Sequence, residues 1–535
     1  MTRARYVVSV YGLLVLAAVA FGGCYALPGK AAVITESVEM QRPPRIRPDY
    51  TGTVIPPNIA PLNFRIEEAG TRYQVAIHGA QGEGIVTVSN TPDIVIPIGK
   101  WRALLEMNKG GELLADVYVK GTEGQWRHFD TIKNTVAAEP IDPYIAYRRM
   151  KPWYTQYGEM GLYQRHIEDY EESLILNNRM TPGSCMNCHS VSNPEADRMI
   201  IHLRFPFVML SVHRGGIQAI DTRTDFNKSA FAYTAWHPNG HMAAFSFNKI
   251  LQLFHTKGET RDAVDFASNL LLYNFDTNTV SSAPVIADPA QYETFPAWSP
   301  DGRYLYFCSA PAVAEEDIKL GKEVQYSLLR VPFDPETGAW GGRETVVAAD
   351  ALGMSIAAPR VSPDGRFVLF TAARHGTFPI FQDSADLYLL DIATGQCKPL
   401  ECNSPLSDSW HEWSGNGRWI AFSSKRDDGL FTKLYFSYVD EQGKTHKPWL
   451  LPQESPRFYD GFLEVYSVPE FLQAPVKVRP RDLATAVHAK PTPAQLDTGT
   501  RALTGTPAQT GSPGQESAYA PTGGAHGPAS GAPQK

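Results

Sequence analysis

A mainly-β fold is what the sequence predicts for this chain of 535 residues, and three observations carry the expectation. A strand, tight turn and strand recur four times in the second half. Short segments in the first part alternate apolar and polar side chains. Turn formers are plentiful, with 43 glycines and 41 prolines, while 43% hydrophobic and 20% charged residues supply cores of ordinary size. A chain this long is expected to divide into several folded units.

Arg3 and Arg5 precede an apolar run from Tyr6 to Phe21 that ends in Gly22, Gly23 and Cys24. Residues 1–23 read as an export signal. Phe21-Gly22-Gly23-Cys24 resembles a bacterial lipobox, with Phe21 where an aliphatic residue is usual. Lipidation of the Cys24 thiol would attach the protein to a membrane; ordinary signal cleavage and an uncleaved anchor are the alternatives. The run falls a little short of the roughly 20 residues a spanning helix needs. No second run follows, so the rest of the chain is expected outside the cytoplasm, in the periplasm or at the outer membrane and cell envelope. A net charge of −7 gives no broad basic field, and nucleic acid is not an expected partner.

Residues 24–55 are polar and proline-bearing and read as a tether. Between 56 and 140, segments such as Tyr73–Ile77 and Leu114–Val119 alternate between glycine and asparagine turns, which fits a β-sandwich-like domain. From 141 to 204 aromatic and charged residues mix without alternation (Tyr144, Tyr147, Trp153, Tyr157, Tyr163). This part is read as a short helical segment with extended connections.

The repeat fills 205–475. Trp236-His-Pro-Asn-Gly240, Trp298-Ser-Pro-Asp-Gly302, Val361-Ser-Pro-Asp-Gly365 and Trp413-Ser-Gly-Asn-Gly417 are each followed by an apolar strand. Proline presets φ, Asp or Asn supports the turn through its side chain, and glycine takes the φ > 0 position. Each unit continues into a second strand and turn, as in Leu387-Tyr-Leu-Leu390 before Asp391-Ile-Ala-Thr-Gly395. These residues resemble TolB-like, WD-like β-propeller repeats, and the resemblance implies a radial ring in which neighbouring blades bury one another's faces. Four blades are visible, and the flanks have length for one or two more. Residues 476–535, increasingly rich in Pro, Gly, Ala, Thr and Ser, are expected to be a disordered tail.

One motif carries chemistry. Cys185-Met-Asn-Cys188-His189 is the attachment pattern of a c-type haem: two thiols two residues apart reach the two vinyl groups of one porphyrin, and the next histidine ligates its iron. Export agrees, because such attachment takes place outside the bacterial cytoplasm. A Cys185–Cys188 disulfide or half of a zinc site is the alternative, but no second C-x-x-C is present, and His237 and His241 straddle a turn. Cys397 and Cys402 are spaced for a short-loop disulfide, with Cys308 a buried thiol. For the second axial position His202 is preferred and Met199 is the alternative; Met180, Met209 and His213 lie further down the order. Arg198 and Arg204 are candidate partners of the haem propionates.

This stretch, with Tyr163-Gln-Arg165, Ile59–Phe64 and Ser423–Gly429, resembles exported bacterial proteins that combine a β-domain, one C-x-x-C-H segment and a TolB-like propeller. The resemblance implies one covalent haem c and little about activity. The expected function is electron transfer or redox relay with a partner protein docked on the propeller. A binding, scaffold or sensor protein with a structural haem is the alternative, and a haem enzyme comes after both. No G-x-S-x-G elbow is present, and no catalytic residue is assigned.

Overall fold

The structure is a computed structural model and describes residues 34–151, 159–183, 185–186, 188–192, 197–204, 206–228, 231–254, 261–319 and 323–501. The export signal, Cys24 and the last 34 positions therefore lie outside the described residues. Among the described residues the fold is mainly β, with eight sheets, none closed on itself.

The first unit holds a seven-stranded sheet centred on Glu112–Lys120 and a three-stranded sheet of Ile46–Arg47, Phe64–Ile66 and Asp93–Ile94. The helix Ile98–Met107 buries Trp101, Leu104 and Leu105. The tether reading covers part of this unit, because Val38–Glu39 and Val54–Ile55 join the larger sheet as parallel edge strands.

Six further sheets follow, each with four antiparallel strands that are consecutive along the chain in five of the six, and two of them are extended by a fifth. Sheet I contains Tyr144–Met150, Met160–His166 and Glu172–Asn177, and takes its inner strand, Val465–Leu472, from near the other end of the chain. Sheet II runs through Cys188–Val191, Met199–Leu203, Val208–His213 and Gly216–Asp221. Sheets III, IV, V and VI begin with Phe231–Trp236, Gln291–Trp298, Ser355–Val361 and Asp408–Trp413. These first strands touch in the order II, III, IV, V, VI, then Val465–Leu472 of sheet I, which touches sheet II again.

The repeat turns have the backbone their residues require. Gly240, Gly302, Gly365 and Gly417 all have φ between 68° and 70° or at 71°, where a side chain would be strained. In three of the turns the Asp or Asn takes a hydrogen bond from the preceding serine, as in Ser362 Oγ to Asp364 at 2.5 Å.

Three expectations need correction. The described residues between 144 and 203 form strands, with one 3-10 turn at Asn178–Met180. Alternation is invisible there because both faces are buried: Tyr147 enters a core shared with the first unit, while Ala146 and Leu162 enter another against sheet II. The first part of the expected tail is also ordered. Helix Pro480–His488 buries Leu483 and Val487, and Thr492–Pro493 and Gln495–Leu496 add to the outer edges of sheets II and III. Backbone pairing at a free sheet edge needs few apolar side chains, so composition does not reveal it. Finally, Cys397 and Cys402 are unbridged thiols, one packed in the core between sheets IV and V, the other in the core shared with the first unit.

The first unit docks on sheets V, VI and I through one continuous core that includes Trp101, Phe129, Tyr147, Trp413, Trp419 and Trp449. Polar tips of this core are satisfied across the boundary: the Trp449 indole donates to the Val54 carbonyl at 3.0 Å, and Lys447 reaches Asp49 at 2.7 Å.

Candidate functional site

Cys188–Val191 is the inner strand of sheet II, and its neighbour Met199–Leu203 runs antiparallel with Cys188 opposite His202 and His189 opposite Ile201. Directly paired residues share a face and successive residues alternate. Cys188 and His202 therefore face sheet III, whereas His189, Met199 and Ile201 face sheet I. Asn187 of the motif, and Ser184 just before it, lie outside the described residues.

Cys185, Cys188 and His189 are 2%, 8% and 5% exposed. Both cysteines are unbridged. Burial raises the Cys188 thiol pKa, opposed by the Tyr233 backbone and by the charges of Arg148 and Arg204. Burial, helped by Arg148, pushes His189 down to about 3, so its ring is neutral; the Val468 backbone beside it acts in the other direction. Neither ring nitrogen makes a hydrogen bond of good geometry, the Val468 backbone giving the ring only a weak polar contact. An unpaired buried group of this kind costs about 1–3 kcal/mol. Two thiols and a neutral imidazole are the donor types that covalent haem attachment and iron ligation require, but with the strands paired as they are Cys188 and His189 face opposite sides of sheet II, so binding one haem through both would need this strand to be rearranged.

His202 is placed differently. It is 4% exposed, its Nε2 meets the Thr234 hydroxyl at 2.7 Å, and its ring stands edge-on to Phe245 at 5.4 Å. Burial holds it near 3, hence neutral. With the strands paired as they are, His189 and His202 point to opposite faces, and Met199, 1% exposed, shares the His189 face. Met209 faces sheet III in the apolar core, Met180 packs against the sheet I core, and His213 donates to the Gly240 carbonyl at 3.2 Å. Arg198 reaches toward Gly240, on the turn of sheet III, while Arg204 acts electrostatically on Cys188. The buried cation beside the motif that sequence reading missed is Arg148, 7% exposed, whose Nε donates to Ser467 at 3.0 Å.

A second feature was also missed. The inner strands of sheets III, IV, V, VI and I each carry a bulge with one non-glycine residue near φ 50°: Tyr233, Phe295, Ala358, Trp410 and Val468. Each left-handed residue costs roughly 1–2 kcal/mol, so this is one strained backbone feature repeated at the same place in five sheets. Three of the five are aromatic and meet across sheets: Tyr233 lies 4.0 Å from Phe295 and 6.5 Å from Trp410, centroid to centroid. Cys188 and His189 lie between the two ends of this series, against the backbones of Tyr233 and Val468. The signal was in the repeat, since Tyr233, Phe295, Ala358 and Trp410 each precede the turn's Trp or Val by three residues. Ala358→Gly, at φ 52°, should accordingly be neutral or stabilising by about 1 kcal/mol in urea denaturation, where the same change in an ordinary strand costs about that much; a clear loss of stability would count against strain at this position.

Other histidines are engaged. His237 Nε2 donates to the Gly302 carbonyl at 3.1 Å, and His241 meets Asp276 at 2.7 Å. His411 contacts Thr371 and the Leu369 carbonyl, and burial holds it near 3. No group of three or more His, Cys, Asp or Glu suited to a metal ion occurs among the described residues. No described helix is long and apolar enough to cross a membrane.

The buried imidazoles set a pH dependence. His411 titrates near 3 in the folded state and near 6.5 when unfolded, so the unfolded chain binds more protons between those values and stability falls as pH drops through 6.5. His411→Gln should remove about 2 kcal/mol of the stability lost between pH 7 and pH 5, measured by urea unfolding at both values. An unchanged pH slope would show that this ring is not the titrating group.

No protein-family model matches the chain, and no curated protein matches it either. Among solved structures, a chain of a nidogen/laminin complex is similar over 57% of this chain and 93% of its own, at 9% identity and a TM-score of 0.32. A puromycin-hydrolysing peptidase of Mycobacterium tuberculosis is similar over 56% of this chain and 44% of its own, at 11% identity and a TM-score of 0.33. Likenesses this low carry no argument about activity or fold.

Proposed function

We propose that this chain is an exported c-type cytochrome-like protein with one haem held by Cys185, Cys188 and His189, serving electron transfer or redox relay. The observation that carries the reading is the Cys-x-x-Cys-His motif with its histidine buried, neutral and without a well-formed hydrogen bond on either ring nitrogen. When bound, the haem supplies a one-electron couple whose potential follows its axial ligands and burial. The chain's own part is to fix the ligands on a strand, to keep water from His189 between sheets I and II, and to set Arg148 and Arg204 as positive charges beside Cys188. His189 would ligate the iron, and Met199, on the same face of the sheet, and His202, on the Cys188 face, are the candidates for a second ligand.

The six sheets are read as the blades of a TolB-like propeller. Supporting this are the cyclic contacts of their inner strands, the bulge recurring at one position, and Val465–Leu472 completing a sheet begun at Tyr144. In this reading the ring is the platform for a redox partner protein, and the first unit braces sheets V and VI.

The absorption spectrum of the purified, exported protein tests the function. Sharp low-spin bands that interconvert fully on reduction and reoxidation are expected. A high-spin spectrum altered by carbon monoxide or peroxide would favour sensing or catalysis instead. Attachment to the membrane is proposed at Cys24, and Cys24→Ala should move the protein from the membrane to the soluble fraction. Unchanged partition would reject lipidation.

A further inference from the structure

We infer that the cleft between the outer halves of sheets II and III is a binding site for a neutral saccharide ring. The cleft has a volume of about 340 Å³, near the lower end of the roughly 300–1,000 Å³ usual for small-molecule sites. One wall is a single face of sheet II, where Ser211 pairs with Gln218 and His213 with Gly216. Phe275 and Asp276 of sheet III form the other wall, and Arg214 closes one end from the turn between two sheet II strands.

Two features make this more than a gap between sheets. Ser211 is 2% exposed, and its hydroxyl, on the face that lines the cleft, has no hydrogen-bond partner. A buried hydroxyl left unpaired is unfavourable, and a ligand hydroxyl would satisfy it. The polar groups at the mouth are also held in place. Arg214 pairs with Asp276 at 2.8 Å, Asp276 meets His241 at 2.7 Å, and His213 donates to Gly240 while packing on Phe275 at 5.2 Å and Trp236 at 6.2 Å.

The ligand class follows from what this lining offers. The guanidinium and the carboxylate already compensate each other, so a phosphate or carboxylate ligand would have to displace Asp276 from Arg214. An apolar ligand would leave the Ser211 hydroxyl and the Gln218 amide without partners. Serine, glutamine, aspartate and arginine together present donors and acceptors side by side, and Phe275 adds an apolar ring. A sugar matches that combination, since each hydroxyl both donates and accepts and one ring face carries C–H groups. The volume admits one or two rings. The inference is independent of the haem reading.

Calorimetric titration of the full chain tests it, with D-glucose, D-galactose, N-acetyl-D-glucosamine and cellobiose as probes and sodium acetate and phosphate as anion controls. At least one sugar should bind saturably. Gln218→Ala and Asp276→Asn, both at exposed positions, should each weaken that sugar about tenfold or more while leaving the melting temperature within a few degrees. Absence of saturable binding for every sugar at about 10 mM, unchanged affinity in both variants, or an anion binding more tightly than any sugar would each overturn the assignment.

Discussion

Replacing both Cys185 and Cys188 by alanine is expected to abolish covalent haem altogether. Each thioether contributes one attachment, so either single variant should retain a reduced amount and the double variant none. A peroxidase-based haem stain on a denaturing gel reads this directly, because haem held by ligation alone leaves the chain in detergent. Both thiols are small and buried at 2% and 8% exposure, and alanine removes one sulfur from each. Folding of the double variant is checked by its melting temperature, expected within a few degrees of wild type in the haem-free state, since losing a buried sulfur costs on the order of 1 kcal/mol. A folded double variant that still stains would reject the motif reading.

The second large effect concerns the iron's axial ligands. His189→Ala should convert a low-spin spectrum to a high-spin one, because it removes the ligand next to the attached cysteine. With the observed pairing, His202→Ala should leave the spin state unchanged, since that ring faces sheet III and is committed to Thr234. Its cost should appear in stability, at about 2–3 kcal/mol for a lost buried hydrogen bond and the cavity against Phe245. Met199→Leu, nearly volume-conserving, is then the informative change. A switch to high spin identifies Met199 as the second ligand. Conversion by His202→Ala instead would show that the strands Cys188–Val191 and Met199–Leu203 separate around the haem.

The repeat turns were legible because their chemistry is local: Pro, Asp and Gly at fixed offsets specify a backbone, and Gly302 and Gly365 adopt it at φ 70° and 71°. The cysteine motif was legible for the same reason. Long-range pairing was not. Nothing near Tyr144 announces that its sheet is completed by Val465–Leu472, and a strand buried on both faces, such as Tyr144–Met150, shows no alternation to read. The position of His202 failed to appear for a sharper reason. Distance along the chain says nothing of facing, because a two-strand ladder places a residue by parity, and His202 falls on the Cys188 face. Arg148 was invisible because its role depends on the sheet I strand lying beside the motif.

The most direct test of the central claim is the intact mass of the wild-type chain, expressed with export and c-type maturation and measured after denaturation in acid. The expected mass is that of the processed polypeptide plus one haem, with the addition localised by tryptic mapping to the peptide containing Cys185 and Cys188. A polypeptide mass with no such addition, under conditions in which a control c-type cytochrome is fully matured, would contradict it.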